Sequence, residues 1–263
     1  MKIALAQLNY QIGNIEFNKK KIIESIKKAS AEKADLVAFA ELSVCGYTPQ
    51  DMLEQNHFIE NSLAAINEIA SHCKNIAAIV GAPGVNLRGK GKRIHNTAYF
   101  LYNGKVQSVT HKALLPTYDV FDEYRYFESG TNFDVIEYKG TRIALTICED
   151  LWGMTEHPLY VVCPMDELIQ QKPDIILNIA ASPFSYVQEK ERKKILSRNA
   201  RHYQLPLLYV NQIGAHTEVI FDGASLAMDH KGCELAELKS FEEDFQTFTV
   251  KKSDSRTELI PSH

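Results

Sequence analysis

Residues 97–110 read TAYFLYNGKVQSVT. Two runs able to form strands flank Asn103 and Gly104. That dipeptide accepts the positive φ angles that a two-residue hairpin turn demands. The stretch therefore predicts an antiparallel pair, 97–102 with 105–110. Upstream, residues 3–8, 34–40 and 76–81 are short apolar runs of strand type. Between them, residues 17–32 and 58–73 space their apolar side chains three to four apart, through Ile22, Ile23, Ile26 and Ala29, and through Leu63, Ile66 and Ile69. That spacing gives one apolar helix face. Downstream, 142–147, 174–179 and 207–210 read as strands, 188–202 as a helix, and 221–228 as a further extended segment. Alternating strands and helices predict an α/β fold, and an antiparallel hairpin inside the pattern predicts two sheets. No repeat, low-complexity stretch or linker precedes residue 250. The reading is one domain over 1–250, then a polar C-terminal tail over 251–263, KKSDSRTELIPSH.

Composition narrows the function classes. With 45% apolar and 24% charged residues among 263, the chain sits near the globular average. A net charge of −4 gives no basic footprint for nucleic acid. No apolar run approaches the roughly 18 residues of a membrane helix. The apolar segment of the opening MKIALAQL is too short for a signal peptide, so it reads as the first strand of a cytoplasmic protein. The five cysteines are odd in number, widely spaced and free of C-x-x-C pairs, which predicts free thiols. The nine histidines show no H-E-x-x-H spacing, so no metal is predicted.

Three places could carry chemistry. In TICEDLW (146–152) a buried strand runs into Cys148, then into Glu149 and Asp150. A nucleophile at a strand end is held by the sheet, and the next backbone N–H can face a developing oxyanion. A lone cysteine is more often a small buried hydrophobe, and locally that reading competes. Glu41 closes the apolar run of 34–40, where partial desolvation would suit a carboxylate to proton transfer. Alone it is also an ordinary loop glutamate. Lys112 ends the hairpin and opens a loop dense in aromatic and charged residues. It could stabilise an oxyanion, or it could be a solvated surface charge.

Together these residues resemble a family. Glu41, Lys112 and Cys148 occur in the chain order of the nitrilase-like carbon–nitrogen hydrolases, each at a predicted strand end. LLPTYDVFDEYRYFESG (114–130), ICEDLW (147–152), NIAASPF (178–184) and NQIGAHTEVIFDGAS (211–225) resemble segments of the glutaminase domain of glutamine-dependent NAD synthetases. The resemblance implies a four-layer α-β-β-α sandwich. It implies Glu41 as general base, Cys148 as nucleophile, Lys112 as oxyanion stabiliser and Glu123 as a second glutamate beside them. Tyr118, Glu149 and Ser182 match substrate-binding positions. Gln188 stands where the family usually carries a basic residue for the substrate carboxylate, with Lys190 and Arg192 as possible substitutes. The implied substrate is glutamine or a similar small amide, with no cofactor for the amidase step. A stand-alone ω-amidase or carbamoylase-type hydrolase is the alternative. The resemblance also implies a homo-oligomer and an ammonia-accepting synthetase domain. That domain would need ATP and deamido-NAD, and no S-G-G-x-D-S loop for ATP occurs in these residues. A truncated or separated glutaminase domain is therefore expected.

Overall fold

The computed structural model describes residues 1–154, 160–253 and 256–262. Strand β1 (Lys2–Gln7) leads into helix α1 (Ile15–Ala31), whose first turn is capped by Asn14 Oδ1 accepting the N–H of Phe17 at 3.2 Å. Strand β2 (Leu36–Ala38), helix α2 (Asn56–Ser71) and strand β3 (Ala77–Val85) follow. The predicted hairpin is β4 (Ile94–Tyr102) and β5 (Lys105–His111), and Asn103 and Gly104 turn with φ of 53° and 75°. Beyond it lie a one-turn helix α3 (Glu123–Tyr126), β6 (Ile136–Tyr138) and β7 (Thr141–Ile147). A 3₁₀ segment, Cys148–Met154, precedes helix α4 (Pro164–Gln170), strand β8 (Ile175–Ile179) and helix α5 (Gln188–Tyr203). The remaining strands are β9 (Leu207–Val210), β10 (Ile213–His216), β11 (Val219–Asp222), β12 (Leu226–Met228), β13 (Glu234–Glu237), β14 (Asp244–Lys252) and β15 (Thr257–Pro261).

Two large sheets result, ordered β15-β14-β1-β2-β3-β4-β5 and β13-β12-β9-β8-β7-β6, and β10 pairs with β11 separately. The alternation of a strand's side chains sets the layers. Along β1, Ile3 and Leu5 join the core between the two sheets, whereas Ala4 and Ala6 join the core that packs on α1 and α2. On the other side, Met165 and Leu168 of α4 and Leu196 and Ala200 of α5 cover the second sheet. The architecture is the expected α-β-β-α sandwich.

Two expectations are corrected. The run read as a strand over 34–40 is a strand only at Leu36–Ala38: the Phe39 N–H still donates to the Ile79 carbonyl at 3.0 Å, and the chain then turns over 41–45, which carries Glu41 inward. The polar tail is also overturned in part. Strand β14 continues to Lys252, and β15 pairs antiparallel with it from Phe248↔Pro261 to Lys252↔Thr257. Leu259 is buried while Glu258 and Ile260 face outward, a strand alternation too short to stand out in a polar composition.

Candidate active site

Glu41 is fully buried just beyond β2. The backbone around it lies so close to β3 that a Cβ at Gly81 would sit 2.4 Å from the Leu42 nitrogen and 2.6 Å from the Ala40 oxygen, so only glycine fits there. Lys112 continues β5 by one residue and is also fully buried, with its N–H on the Asn96 carbonyl at 2.8 Å. Glu123 opens α3. These three charges form one cluster: Lys112 Nζ is 2.7 Å from Glu41 Oε1 and 2.7 Å from Glu123 Oε1. A lysine and two glutamates out of water are stable only as such a network, since each charge alone would carry a heavy desolvation cost.

Further hydrogen bonds fill the cluster. The Asn96 amide donates to Glu41 Oε1 at 2.6 Å and to Glu123 Oε2 at 3.4 Å. The Tyr47 hydroxyl donates to Glu123 Oε1 at 2.8 Å, and the Ala181 N–H donates to Glu41 Oε2 at 2.9 Å. Burial pushes the Glu123 carboxyl up to about 7, with Lys112 opposing the rise. For Lys112, burial favours the neutral amine, but the carboxylates of Glu123 and Glu41 outweigh it and hold the ammonium well above its usual range.

Cys148 directly follows β7 with a φ of 44°, a left-handed conformation that a non-glycine residue adopts only where its surroundings enforce it. It is a free cysteine and buried, with 8% of the residue exposed. Burial raises the thiol pKa well above normal, Glu41 adds to the rise, and Lys112 opposes it. The sulfur therefore rests as a thiol and becomes a nucleophile when a base takes its proton.

The expected substrate residues divide. Glu149 is buried and accepts the hydroxyls of Tyr118 at 2.8 Å and Tyr160 at 3.1 Å. Its carboxyl is raised by burial, against those hydrogen bonds. This places a hydrogen-bonded carboxyl group next to Cys148 in the chain. Ser182 is buried and clasped at its backbone by Asn211, whose Oδ1 accepts the Ser182 N–H at 3.0 Å and whose amide donates to the Ser182 carbonyl at 3.1 Å. Gln188 is the half-buried first residue of α5, and its N–H donates to Ser185 Oγ at 3.0 Å. The substitutes suggested for it do not supply a free buried cation. Lys190 is exposed, and the Arg192 guanidinium makes two bonds to Asp222, at 3.1 and 2.5 Å, with both side chains buried.

Sequence reasoning missed Asn96, Tyr47 and Asn211. A weak signal for Asn96 was present: His95, Asn96 and Thr97 are polar residues just ahead of the apolar run 98–101 in the hairpin strand. Among the described residues, no group of three or more His, Cys, Asp or Glu is arranged to hold a metal ion, and no helix is long and apolar enough to cross a membrane.

Residues 2–257 match the family model for carbon–nitrogen hydrolases. A glutamine-dependent NAD(+) synthetase from Synechocystis sp. is 39% identical over 249 residues, covering 92% of this chain and 45% of that protein. The corresponding synthetase of Aquifex aeolicus is 34% identical, over 99% of this chain and 44% of its own length. The chain thus spans less than half of these curated relatives. In three dimensions it matches all along its length, with a TM-score of 0.88 and 33% identity, 48% of the glutamine-dependent NAD+ synthetase from Acinetobacter baumannii, solved with ADP. An amidase of the nitrilase superfamily from Nesterenkonia shares the fold, with a TM-score of 0.78 at 23% identity, over 94% of this chain and 89% of its own.

Proposed function

The chain belongs to the carbon–nitrogen hydrolase family, and on that premise we propose that it hydrolyses the side-chain amide of glutamine to glutamate and ammonia. The observation that carries this reading is the buried ammonium of Lys112, held 2.7 Å from both Glu41 and Glu123 beside the Cys148 strand end. The names of the relatives support glutamine as the substrate.

Glu41 acts as the base. It takes the thiol proton as sulfur attacks the amide carbon, and the carbonyl π electrons move onto oxygen. Lys112 Nζ and the N–H of Glu149 hold that oxyanion. Collapse of the tetrahedral adduct breaks the C–N bond, and the proton on Glu41 passes to the leaving nitrogen, so ammonia departs and a thioester remains. Glu41 then takes a proton from water as the oxygen attacks the thioester. The second adduct expels sulfur, which recovers the proton from Glu41, and glutamate is released. Glu123 keeps Lys112 in place. Tyr118 and Glu149 meet the α-ammonium group, and Ser182 lines the same pocket. The ammonia goes to a synthetase portion outside these residues, where ATP and deamido-NAD would be used.

Glutamate release by the wild-type chain and by Cys148→Ala tests the proposal. Release that depends on Cys148 is expected, and equal release from both proteins sinks it.

A second reading, a stand-alone hydrolase of another small amide, draws on Gln188 and on the commitment of Arg192 to Asp222. A panel of amides separates the two. Preference for amides lacking the α-carboxylate favours this second reading. Preference for glutamine, strengthened by Gln188→Lys, favours the first.

A further inference from the structure

Asp150 is buried two residues beyond Cys148. Its Oδ1 accepts the backbone N–H groups of Ala113 and Leu114, each at 3.0 Å. Its Oδ2 accepts the N–H of Ile147, also at 3.0 Å. Ala113 and Leu114 directly follow Lys112, and Ile147 directly precedes Cys148. Strand β5, which delivers the lysine, belongs to one sheet, and β7, which delivers the cysteine, belongs to the other. One carboxylate therefore ties together the two backbones that bring ammonium and sulfur into the site.

We propose that Asp150 is a positioning residue that sets the separation between Lys112 Nζ and Cys148 Sγ, and so sets how strongly the ammonium acidifies the thiol and holds the oxyanion. This rests on the amide-hydrolase reading. A carboxylate suits the task because both of its oxygens only accept, and three N–H donors converge on them. Asparagine has nearly the same shape but turns an NH₂ group toward at least one of those donors. Burial raises the Asp150 carboxyl to about 6, and the N–H groups and Lys112 resist that rise, so the clamp is charged near neutral pH.

The test uses the full chain with Asp150→Asn and Asp150→Ala. Rates are counted per Cys148 titratable by an electrophilic glutamine analogue, so that a misfolded fraction drops out. The expected result is a kcat about 100-fold lower, the size of loss that a misplacement near 1 Å produces, with KM nearly unchanged. The second readout is the pH profile of Cys148 alkylation by iodoacetamide, which needs no substrate. Glu41, Lys112, Glu149 and Glu123 are the charged groups that act on this thiol. Deleting the negative charge of Asp150 would by itself lower the alkylation midpoint. A displaced ammonium raises it, and a rise of about one unit is expected. An unchanged or lowered midpoint overturns the proposal. So does a kcat per active site close to wild type, or failure of both variants to fold, which would make the bonds merely structural. If the wild-type chain turns over no amide yet the midpoint rises as stated, the functional reading falls and the positioning role stands.

Discussion

Asn96 donates its side-chain amide to Oε1 of Glu41 at 2.6 Å, the same oxygen that Lys112 Nζ approaches at 2.7 Å. A carboxylate oxygen offers about two lone-pair sites, so Oε1 is full. Oε2 already takes the Ala181 N–H at 2.9 Å and has one site left. Under the proposed mechanism, proton transfer from the sulfur would be directed to the single lone pair left on this carboxylate, which three hydrogen bonds hold in place.

Asn96→Ala frees one site on Oε1 and loosens that restriction. A charged hydrogen bond of this kind is worth about 1.5–3 kcal/mol, so kcat should fall roughly 10- to 100-fold while KM changes little. Steady-state ammonia release measures it, and a kcat equal to wild type would remove Asn96 from the machinery.

Lys112→Met leaves Glu41 and Glu123 buried without their cation. Breaking a buried pair on one side typically costs about 3–5 kcal/mol, so urea unfolding at pH 7 should show a loss of that order along with lost activity. Adding Glu123→Gln to this variant should restore part of the stability, because it removes one uncompensated charge.

The Glu123 carboxyl is raised from 4.5 to about 7 in the folded chain. Between those values the folded state holds a proton that the unfolded state has lost. The contribution of Glu123 to stability is thus fully present below pH 4.5 and declines as pH rises to 7. Glu123→Gln, which cannot ionise, should flatten the fall in unfolding midpoint across that window. Parallel slopes for the two proteins would contradict this assignment.

Leu259 is the inward residue of β15. Leu259→Ala should cost about 2–5 kcal/mol, as core leucine truncations do, whereas Glu258→Ala, at an outward position, should cost little. Denaturation curves for the pair distinguish an integral edge strand from a dispensable tail.

How much of this was legible follows from what each signal depends on. Asn103-Gly104 announced its hairpin because the turn is a local matter of φ angles. Glu41, Lys112, Glu123 and Cys148 were singled out by the motifs around them, and the structure joins the first three through Lys112 Nζ. The carboxylates that Asn96 and Tyr47 reach were not legible, because they depend on which residues face each other across the sheet, and register is a tertiary property. The role of Asp150 was hidden in the same way: its partners are backbone N–H groups of a distant segment. Strand β15 escaped because a short alternation with a single buried leucine does not rise above a charged background. Gln188 was expected at the substrate by likeness alone, and the bond observed for its backbone N–H is to Ser185 at the head of α5.

The segment that leaves β8 is fastened at Ser182 by Asn211, at Phe184, whose N–H donates to the Ile220 carbonyl of β11 at 2.7 Å, and at Arg192 by Asp222. Between the last two fasteners run residues 185–191, with Tyr186 88% and Val187 70% exposed. A strip pinned at both ends can exchange the side chains along it without disturbing what lies beneath. If the proposed function holds and Gln188 meets the substrate, such an arrangement would let this strip vary while Glu41 and Cys148 keep their places.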